Sequence, residues 1–307
     1  MTQPNGRYYT LNSFLRNRHL DKVVKLSIDG GFTCPNRDGT LSYDGCIFCS
    51  SRGSGDFTPS AHLSIYEQLE KAHLLIRDKW KNSCKYIAYF QSYTNTYAPL
   101  SYIKEKFEEA LSFPGLVGIA VATRPDCLPP PVLDYLKELS NRTHLWVELG
   151  LQSIHPDSTK WMNRGYTLEC FENALYELSL RNIETVAHLI LGLPNETTED
   201  MLATARYVSK LPLQGVKLHM LYVIDDSPLG ALYLKNPFKL LTEEEYVYLV
   251  GEIIKILPKN FVIHRLTGDG DKNHLLAPTW NINKKRILNH IHNYLDENNI
   301  YQGENFY

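Results

Sequence analysis

Seven short apolar runs alternate with amphipathic stretches along this chain, and that alternation constrains the fold more than any other feature. The runs are Val23–Ile28, Tyr86–Phe90, Gly118–Thr123, Leu145–Leu151, Thr185–Leu191, Val216–Leu221 and Phe261–Leu266. Helical patterning falls between them at Ile65–Lys79, Ser101–Ser112, Pro130–Leu139, Leu168–Leu180, Thr198–Lys210 and Thr242–Ile256. Strands alternating with helices make βα units and a parallel sheet. Six or more such units close into a full or partial barrel, or form an open doubly wound sheet. In a barrel, functional residues gather where strands end. The informative residues fall there: a cysteine loop after the first run, Gln91–Thr96 after the second, Arg124 after the third, Gln152 and Ser153 after the fourth, and Gly192 after the fifth. This predicts one shared site at the C-terminal edge of the strands.

The chain has 307 residues, 43% hydrophobic and 21% charged. That length suits one large α/β domain, or one domain with extensions. No run of ~20 apolar residues occurs, so no membrane span is expected. The opening stretch, MTQPNGRYYTLNSFLRNRHLDK, has no apolar signal core. Six cysteines in that context predict reduced thiols or metal ligands, and a cytoplasmic setting. A net charge of −2 argues against a surface coated for non-specific nucleic-acid binding. Local basic patches exist at Arg7, Arg16, Arg18, Lys22 and Lys25, and at Lys284, Lys285 and Arg286. Each also reads as the solvated face of an ordinary helix.

The cysteine loop, GGFTCPNRDGTLSYDGCIFCS, spaces Cys34, Cys46 and Cys49 as C-x11-C-x2-C. Three thiolates fit a [4Fe–4S] cluster with one iron left open, since a cluster with a full protein ligand set uses four. Structural zinc is the competing reading, but it wants a second ligand pair and no second C-x2-C exists. His290 and His292 are too close together for the usual pair. Unliganded core thiols are the third reading. Cys84, Cys127 and Cys170 stand alone and read as buried or near-surface thiols.

The other strand ends carry weaker signals. Gln91 and Ser92 open a polar turn that can offer carbonyls to a ligand ammonium, or bond only to itself. Glu148 sits inside an apolar strand, where a carboxylate must be paired. It serves either a ligand amine or ribose, or a structural salt bridge. Gln152 shares its face with Glu148 and Gly150, because strand side chains alternate. Arg164 can pair with a ligand carboxylate, or serve as a capping or surface arginine. Gly192 allows close backbone approach, and Thr197–Asp200 reads as a capping box. Asp225, Asp226, His264, Arg265, Asp269 and Asp271 either face the substrate or are solvated in loops.

With these residues assembled, the chain resembles a radical S-adenosylmethionine (SAM) enzyme, and more closely the YhcC/YtqA family of the elongator-type branch. The segments GGFTCPNRDG, GCIFCS, YFQSYTNTYAP, ATRPDCLP, WVELGLQS, NRGYT and LILGLPNET carry the likeness, with APTWNINK in the tail. The usual superfamily spacing is C-x3-C-x2-C, and the longer first interval here matches the elongator-type form.

The resemblance implies an α/β fold: a partial (β/α)6-type radical SAM barrel at 23–235, an N-terminal extension at 1–22, and a C-terminal extension at 236–307 packed on the barrel. It implies that Cys34, Cys46 and Cys49 hold a [4Fe–4S] cluster whose fourth iron is chelated by SAM. It assigns SAM contacts to Gln91, Ser92, Glu148, Gln152, Arg164 and Gly192. One-electron reduction of SAM then gives methionine and a 5′-deoxyadenosyl radical, with flavodoxin or ferredoxin as reductant.

The implied substrate is a tRNA wobble uridine, converted from the 5-carboxymethylaminomethyl to the 5-aminomethyl form. A methyltransferase partner then acts on the product. Tyr8, Tyr9, Tyr93, Tyr97, Trp280 and the two basic patches are candidates to contact a splayed anticodon base. The alternatives are a radical SAM enzyme acting on a small molecule or a protein, and a non-catalytic iron–sulfur protein with four protein ligands and no SAM.

Overall fold

The computed structural model describes residues 6–77, 85–268 and 270–306. The end of the expected Ile65–Lys79 helix, Cys84 and Asp269 lie outside the described residues. The strands are β1 (Val23–Ile28), β2 (Lys85–Phe90), β3 (Leu116–Thr123), β4 (His144–Gln152), β5 (Glu184–Leu191), β6 (Gly215–Met220), β7 (Val223–Ile224), β8 (Val262–Arg265) and β9 (Leu275–Ala277). Seven form one parallel sheet in the order β1-β2-β3-β4-β5-β6-β8. The pair β7 and β9 is antiparallel, a small two-stranded element whose strands are too short to show in the apolar pattern.

The sheet curls into a half-barrel. β1 and β4 are three strands apart in the sheet, yet Lys25 Nζ reaches Glu148 Oε1 at 3.8 Å. Trp146 on β4 likewise meets His264 on β8 edge-on, with ring centroids 5.6 Å apart. A flat sheet would hold these pairs far apart, because neighbouring strands lie ~4.8 Å from one another.

The helices are α1 (Leu11–His19), α2 (Ile65–Arg77), α3 (Leu100–Leu111), α4 (Pro130–Ser140), α5 (Pro156–Trp161), α6 (Leu168–Leu180), α7 (Thr198–Ser209), α8 (Pro228–Lys235), α9 (Glu243–Ile256) and α10 (Lys284–Glu297). Helices α2, α3, α4, α6, α7, α9 and α10 cover the outer face. Leu145, Val147, Leu149 and Leu151 of β4 pack outward into a core with Phe107, Leu136, Phe171 and Ile253. Trp146 of the same strand points inward. It packs with Val23, Ile87, Ala120 and Val186 against Leu15 of α1. Burial on both faces explains why these strands read as continuous apolar runs. Truncating Trp146 to alanine would cost on the order of 3–5 kcal/mol.

The inner cluster is the plug of the barrel. Thr10 caps α1, accepting from Ser13 N at 3.1 Å, and Ile263 N donates to the Tyr9 carbonyl at 2.8 Å. His19 meets His144 at 3.0 Å, and Arg18 pairs with Glu184 at 2.6 Å. These contacts all involve strand starts. They close the N-terminal end of the barrel and leave the C-terminal end open.

At the far edge α9 packs on α7 and α10. Glu243 holds Arg286 and His290. Helix α10 turns Ile287, Ile291 and Leu295 inward, so the basic run Lys284–Arg286 is its first turn. No helix among the described residues is long and apolar enough to cross a membrane.

Candidate functional site

The loop from β1 to α2 carries the three cysteines and is fastened from several sides. Asn36 Nδ2 donates to the Asn163 carbonyl at 2.6 Å, and Ile47 N donates to Met162 O at 3.1 Å. Arg37 Nη2 donates to the carbonyls of Cys49 and Ser50, at 3.1 and 2.6 Å. The Tyr93 hydroxyl donates to Ser51 O at 2.5 Å, and Ser51 Oγ donates to Asp226 at 2.6 Å. Backbone carbonyls in a loop must find donors when buried, and here Arg37 of the loop itself and Tyr93 beyond β2 supply them.

Inside the open end lies a cavity of about 540 Å³. Cys34, Cys46 and Cys49 all border it, together with Ser27, Tyr89, Gln91, Glu148, Gln152, His188, Lys217, His219 and Arg265. Two larger cavities, of about 810 and 620 Å³, are lined by Phe32 and loop residues, and none of the three cysteines borders them. Volume alone would favour those two. The chemistry favours the barrel cavity, where thiols, charges and imidazoles converge.

Cys46 hydrogen-bonds to Cys49. That bond, with Arg37 nearby, lowers the Cys49 thiol to about 7, while it and burial push Cys46 up. Asn36 Nδ2 also lies 3.6 Å from Cys46 Sγ. Among the described residues no three His, Cys, Asp or Glu side chains close on a point that would hold a single metal ion. The three thiols instead border one open volume, the arrangement a multi-iron cluster needs, and the structure fits that group.

The cavity floor is polar and charged. Burial alone would raise the Glu148 carboxyl, but Lys217 and Lys25 hold it well below the usual range. Oε2 of Glu148 accepts from Lys217 Nζ and lies 3.0 Å from His188 Nε2; Oε1 accepts from Trp146 Nε1 at 3.0 Å. Lys217 Nζ also donates to the Tyr89 hydroxyl at 2.9 Å. Burial, with Lys217 nearby, lowers His188 to about 4, and burial with Arg265 lowers His219 well below its ordinary value. Both imidazoles are therefore neutral near neutral pH. They stack with centroids 5.9 Å apart.

The residues expected to contact SAM divide into two groups. Gln91 and Gln152 border the cavity. Gln91 Nε2 donates to Ser54 O at 2.6 Å, and Gln152 accepts from the Tyr166 hydroxyl at 3.2 Å. Gln152 has φ +60°, in a register shift that ends β4. Ser92 is fully buried beside Thr58, 3.3 Å away, under the cysteine loop.

The other three expected residues already have protein partners. Glu148 borders the cavity, but its two oxygens already carry four basic or donor partners, so the salt-bridge alternative is the one observed. Arg164 is buried against backbone: Leu151 O, Ser153 O and Tyr166 O accept its guanidinium at 2.6–3.1 Å. Gly192, at φ +87°, approaches the side chain of Leu241, where a Cβ would meet Cγ at 2.9 Å.

Several cavity residues are not among the sequence candidates. Lys217, His188, His219 and Ser27 are polar residues at alternate positions of apolar strands, the same signal that singles out Glu148. Arg124, notable in the sequence only as a strand-end residue, borders the cavity; Asp126 grips it at 2.9 and 2.7 Å, and it donates to Arg164 O at 2.9 Å. Lys25 belongs to the interior rather than to a surface patch. The remaining N-terminal basic residues lie on or beside α1, at the closed end. Among the aromatic candidates, Tyr8 bonds His292, Tyr97 bonds Thr40, and Trp280 donates to Leu241 O. Phe57, which no motif marks, borders the cavity and is 59% exposed. Asp225 pairs with His274 at 2.7 Å, away from the thiols.

Comparison with known proteins gives a consistent result. A model of the radical SAM superfamily matches residues 33–208, and one of a radical SAM C-terminal domain matches 213–297. The chain is 43% identical over 300 residues to the uncharacterized protein YtqA of Bacillus subtilis (strain 168), covering 98% of this chain and 93% of YtqA. It is 35% identical over 288 residues to protein YhcC of Escherichia coli (strain K12), covering 93% and 91%. Among solved structures it is similar to the archaeal Methanocaldococcus infernus Elp3 lacking its N-terminus, with a TM-score of 0.68 at 17% identity. That match covers 91% of this chain and 64% of the other, and it speaks to the fold.

Proposed function

The chain belongs to the YhcC/YtqA family of the radical SAM superfamily, and on that premise we propose that it modifies the wobble uridine of tRNA. The family's cofactors are a [4Fe–4S] cluster and SAM. In this reading Cys34, Cys46 and Cys49 hold the cluster, and Gln91 and Gln152 line the space for SAM. Cluster and SAM together supply a 5′-deoxyadenosyl radical by one-electron cleavage of SAM.

The observation that carries the reading is the meeting of all three cysteines at the mouth of one charged, half-closed barrel cavity. The protein's own residues shape the reaction space. Arg37 and Tyr93 fix the cysteine loop. The plug of Trp146, Val23 and Leu15 closes the far end, so a reactive species meets substrate rather than bulk water. Phe48, Phe57 and Tyr222 border the opening as aromatic surfaces, on which an extruded base can stack. The substrate is 5-carboxymethylaminomethyl uridine: loss of a hydrogen atom to the deoxyadenosyl radical and of one electron to an acceptor such as the oxidised cluster, both from the carbon between amine and carboxylate, would give an imine that water would hydrolyse to 5-aminomethyl uridine and glyoxylate.

The test uses anaerobically reconstituted protein with SAM, a reductant and tRNA bearing 5-carboxymethylaminomethyl uridine. Deoxyadenosine and tRNA nucleosides are measured together by mass spectrometry, with Cys46→Ser as control. Conversion to aminomethyl uridine, lost in the variant, supports the reading. Deoxyadenosine formed without any nucleoside change overturns the tRNA assignment.

A further inference from the structure

We propose that the floor of the half-barrel is a carboxylate-binding site, in which Lys25, Lys217 and Arg265 receive the acid group of the substrate's side arm. The proposal rests on the wobble-uridine reading, because it assigns a place to that substrate's carboxymethyl group.

Three cationic side chains, Lys25 of β1, Lys217 of β6 and Arg265 of β8, enter the interior near the carboxylate of Glu148. Lys25 lies 3.8 Å from Glu148, and Lys217 is in direct contact with it. Arg265 pairs in register with Lys217 and borders the cavity. Lys217 side-chain exposure is 2% and that of Lys25 is 19%. Among the described residues Glu148 is the one carboxylate paired with these two ammonium groups, and burying unbalanced charge is costly. A second carboxylate would offset the excess.

Hydrogen bonding favours the same ligand. Glu148 already accepts from Lys217, His188 and Trp146, and Lys25 stands off at 3.8 Å, beyond hydrogen-bond reach. His219 borders the cavity, and its Nε2 is buried without a hydrogen-bond partner. Unpaired buried polar atoms are uncommon and ask for an explanation. A carboxylate among these groups would accept from His219 Nε2 as the donor tautomer. Burial lowers both Lys25 and Lys217 from their ordinary values, with Glu148 opposing it. An incoming anion would reverse that shift and firm up the charge that binds it.

Lys217 and Arg265 border the same cavity as the three cysteines, and Lys25 pairs in register with Ile87 of the plug. A side arm anchored by its acid group at the floor would present its carbon beside the amine to the space between. Anchoring of this kind gives both orientation and selectivity.

The same chemistry could serve the carboxylate of SAM, and the experiment separates the two. Two anticodon stem-loop RNAs are compared, identical except for 5-carboxymethylaminomethyl or 5-aminomethyl uridine at the wobble position. Their affinities are measured by fluorescence anisotropy on the cluster-loaded protein, with SAM affinity measured in parallel by equilibrium dialysis. Wild type is expected to favour the carboxylate RNA by about 10–100-fold, the worth of one charge-assisted contact. Lys25→Met and Arg265→Gln are expected to lose that preference and keep SAM affinity. Retained preference overturns the proposal. So does equal weakening of both RNAs, or a loss of SAM affinity in step with the preference.

Lys217→Met is unsuitable because it strips Glu148 of its nearest partner; should Lys25→Met fail to melt cooperatively, Arg265→Gln carries the test. A probe without RNA distinguishes failure of the site from failure of the tRNA reading. N-methylglycine is titrated against N-methylethylamine while the His219 ring signals are monitored by NMR. If tRNA is not modified, shifts by N-methylglycine in wild type and not in Arg265→Gln still uphold the floor site. If the variants modify tRNA as well as wild type does, the floor site falls and the tRNA reading stands.

Discussion

The side-chain amide of Asn36 donates to the Asn163 carbonyl at 2.6 Å, and the Asn163 amide donates in turn to Gly45 O at 2.7 Å. Two asparagines 127 positions apart thus clip the cysteine loop to the turn after α5. Asn163 adopts φ +53°, a left-handed conformation that asparagine tolerates better than most residues. Asn36 is buried, so Asn36→Ala leaves the Asn163 carbonyl without its donor. We predict a loss of ~1–3 kcal/mol in urea unfolding and fewer irons per chain after reconstitution. An unchanged iron content would show that the clip does not position the thiols.

Glu148 joins β1, β5 and β6 to β4 through Lys25, His188 and Lys217. Removing the carboxylate leaves two ammonium groups facing each other in the interior. Glu148→Ala is predicted to cost about 3–5 kcal/mol, the usual penalty for breaking a buried pair. Glu148→Gln combined with Lys217→Met removes charge from both sides and should recover much of that loss. Denaturant unfolding of the two variants checks the sign: a double variant no more stable than Glu148→Ala would refute the charge argument.

The sheet is legible in the sequence because both faces of each strand are buried. The runs around Val147 and Val186 are apolar at most positions, so their placement in sequence survives the few inward polar residues they carry. The cysteine loop is legible because its spacing carries its own chemistry. The barrel interior is only half legible. Glu148 stands out as a carboxylate in an apolar strand, but Lys25, Lys217 and His188 give the same signal in strands far away in sequence. Their pairing exists because the sheet curls, and no local pattern encodes the curl. Arg164 departs from expectation because a guanidinium beside a glycine turn looks the same whether it meets a ligand or Leu151 O. Gly192 does signal a close approach, though to Leu241. Helix α10 escapes the apolar pattern because Ile287, Ile291 and Leu295 are diluted by eleven other, mostly polar, residues of its 14.

His188 gives the fold a pH dependence of definite sign. Burial and Lys217 lower its pKa to about 4, whereas an unfolded histidine titrates near ~6.5. Between those values the unfolded chain binds a proton that the folded chain does not. Stability therefore falls as pH drops through that window. His188→Asn removes the group and should make the slope shallower by up to ~1.4 kcal/mol per pH unit. His19, also lowered to about 4 chiefly by burial, retains its share. Unfolding midpoints across the window provide the measurement, and an identical slope in the variant would show that His188 titrates normally in the fold.

Gly53 and Tyr93 form a second fastening of the cysteine loop, and both take the left-handed conformation, which only glycine adopts freely. Gly53 has φ +58° and Tyr93 has φ +56°, a conformation costly for a bulky residue. Tyr93 N donates to Gly53 O at 2.9 Å, and its hydroxyl reaches Ser51 O. A Cβ on Gly53 would lie 2.4 Å from the Tyr93 ring. Gly53→Ala must therefore expel the ring, losing the hydroxyl bond that pins Ser51 two positions beyond Cys49. We predict a cost of ~1–3 kcal/mol, concentrated in the loop, so that iron retention falls more steeply than the unfolding midpoint. Tyr93→Asn keeps a residue suited to the left-handed conformation but gives up the ring and its hydroxyl bond. If the two residues act as one clamp, Gly53→Ala costs less once Tyr93 is Asn, only the left-handed strain of the alanine remaining, and the double variant is less than additive. Full additivity in iron retention would mean that each residue holds the loop separately.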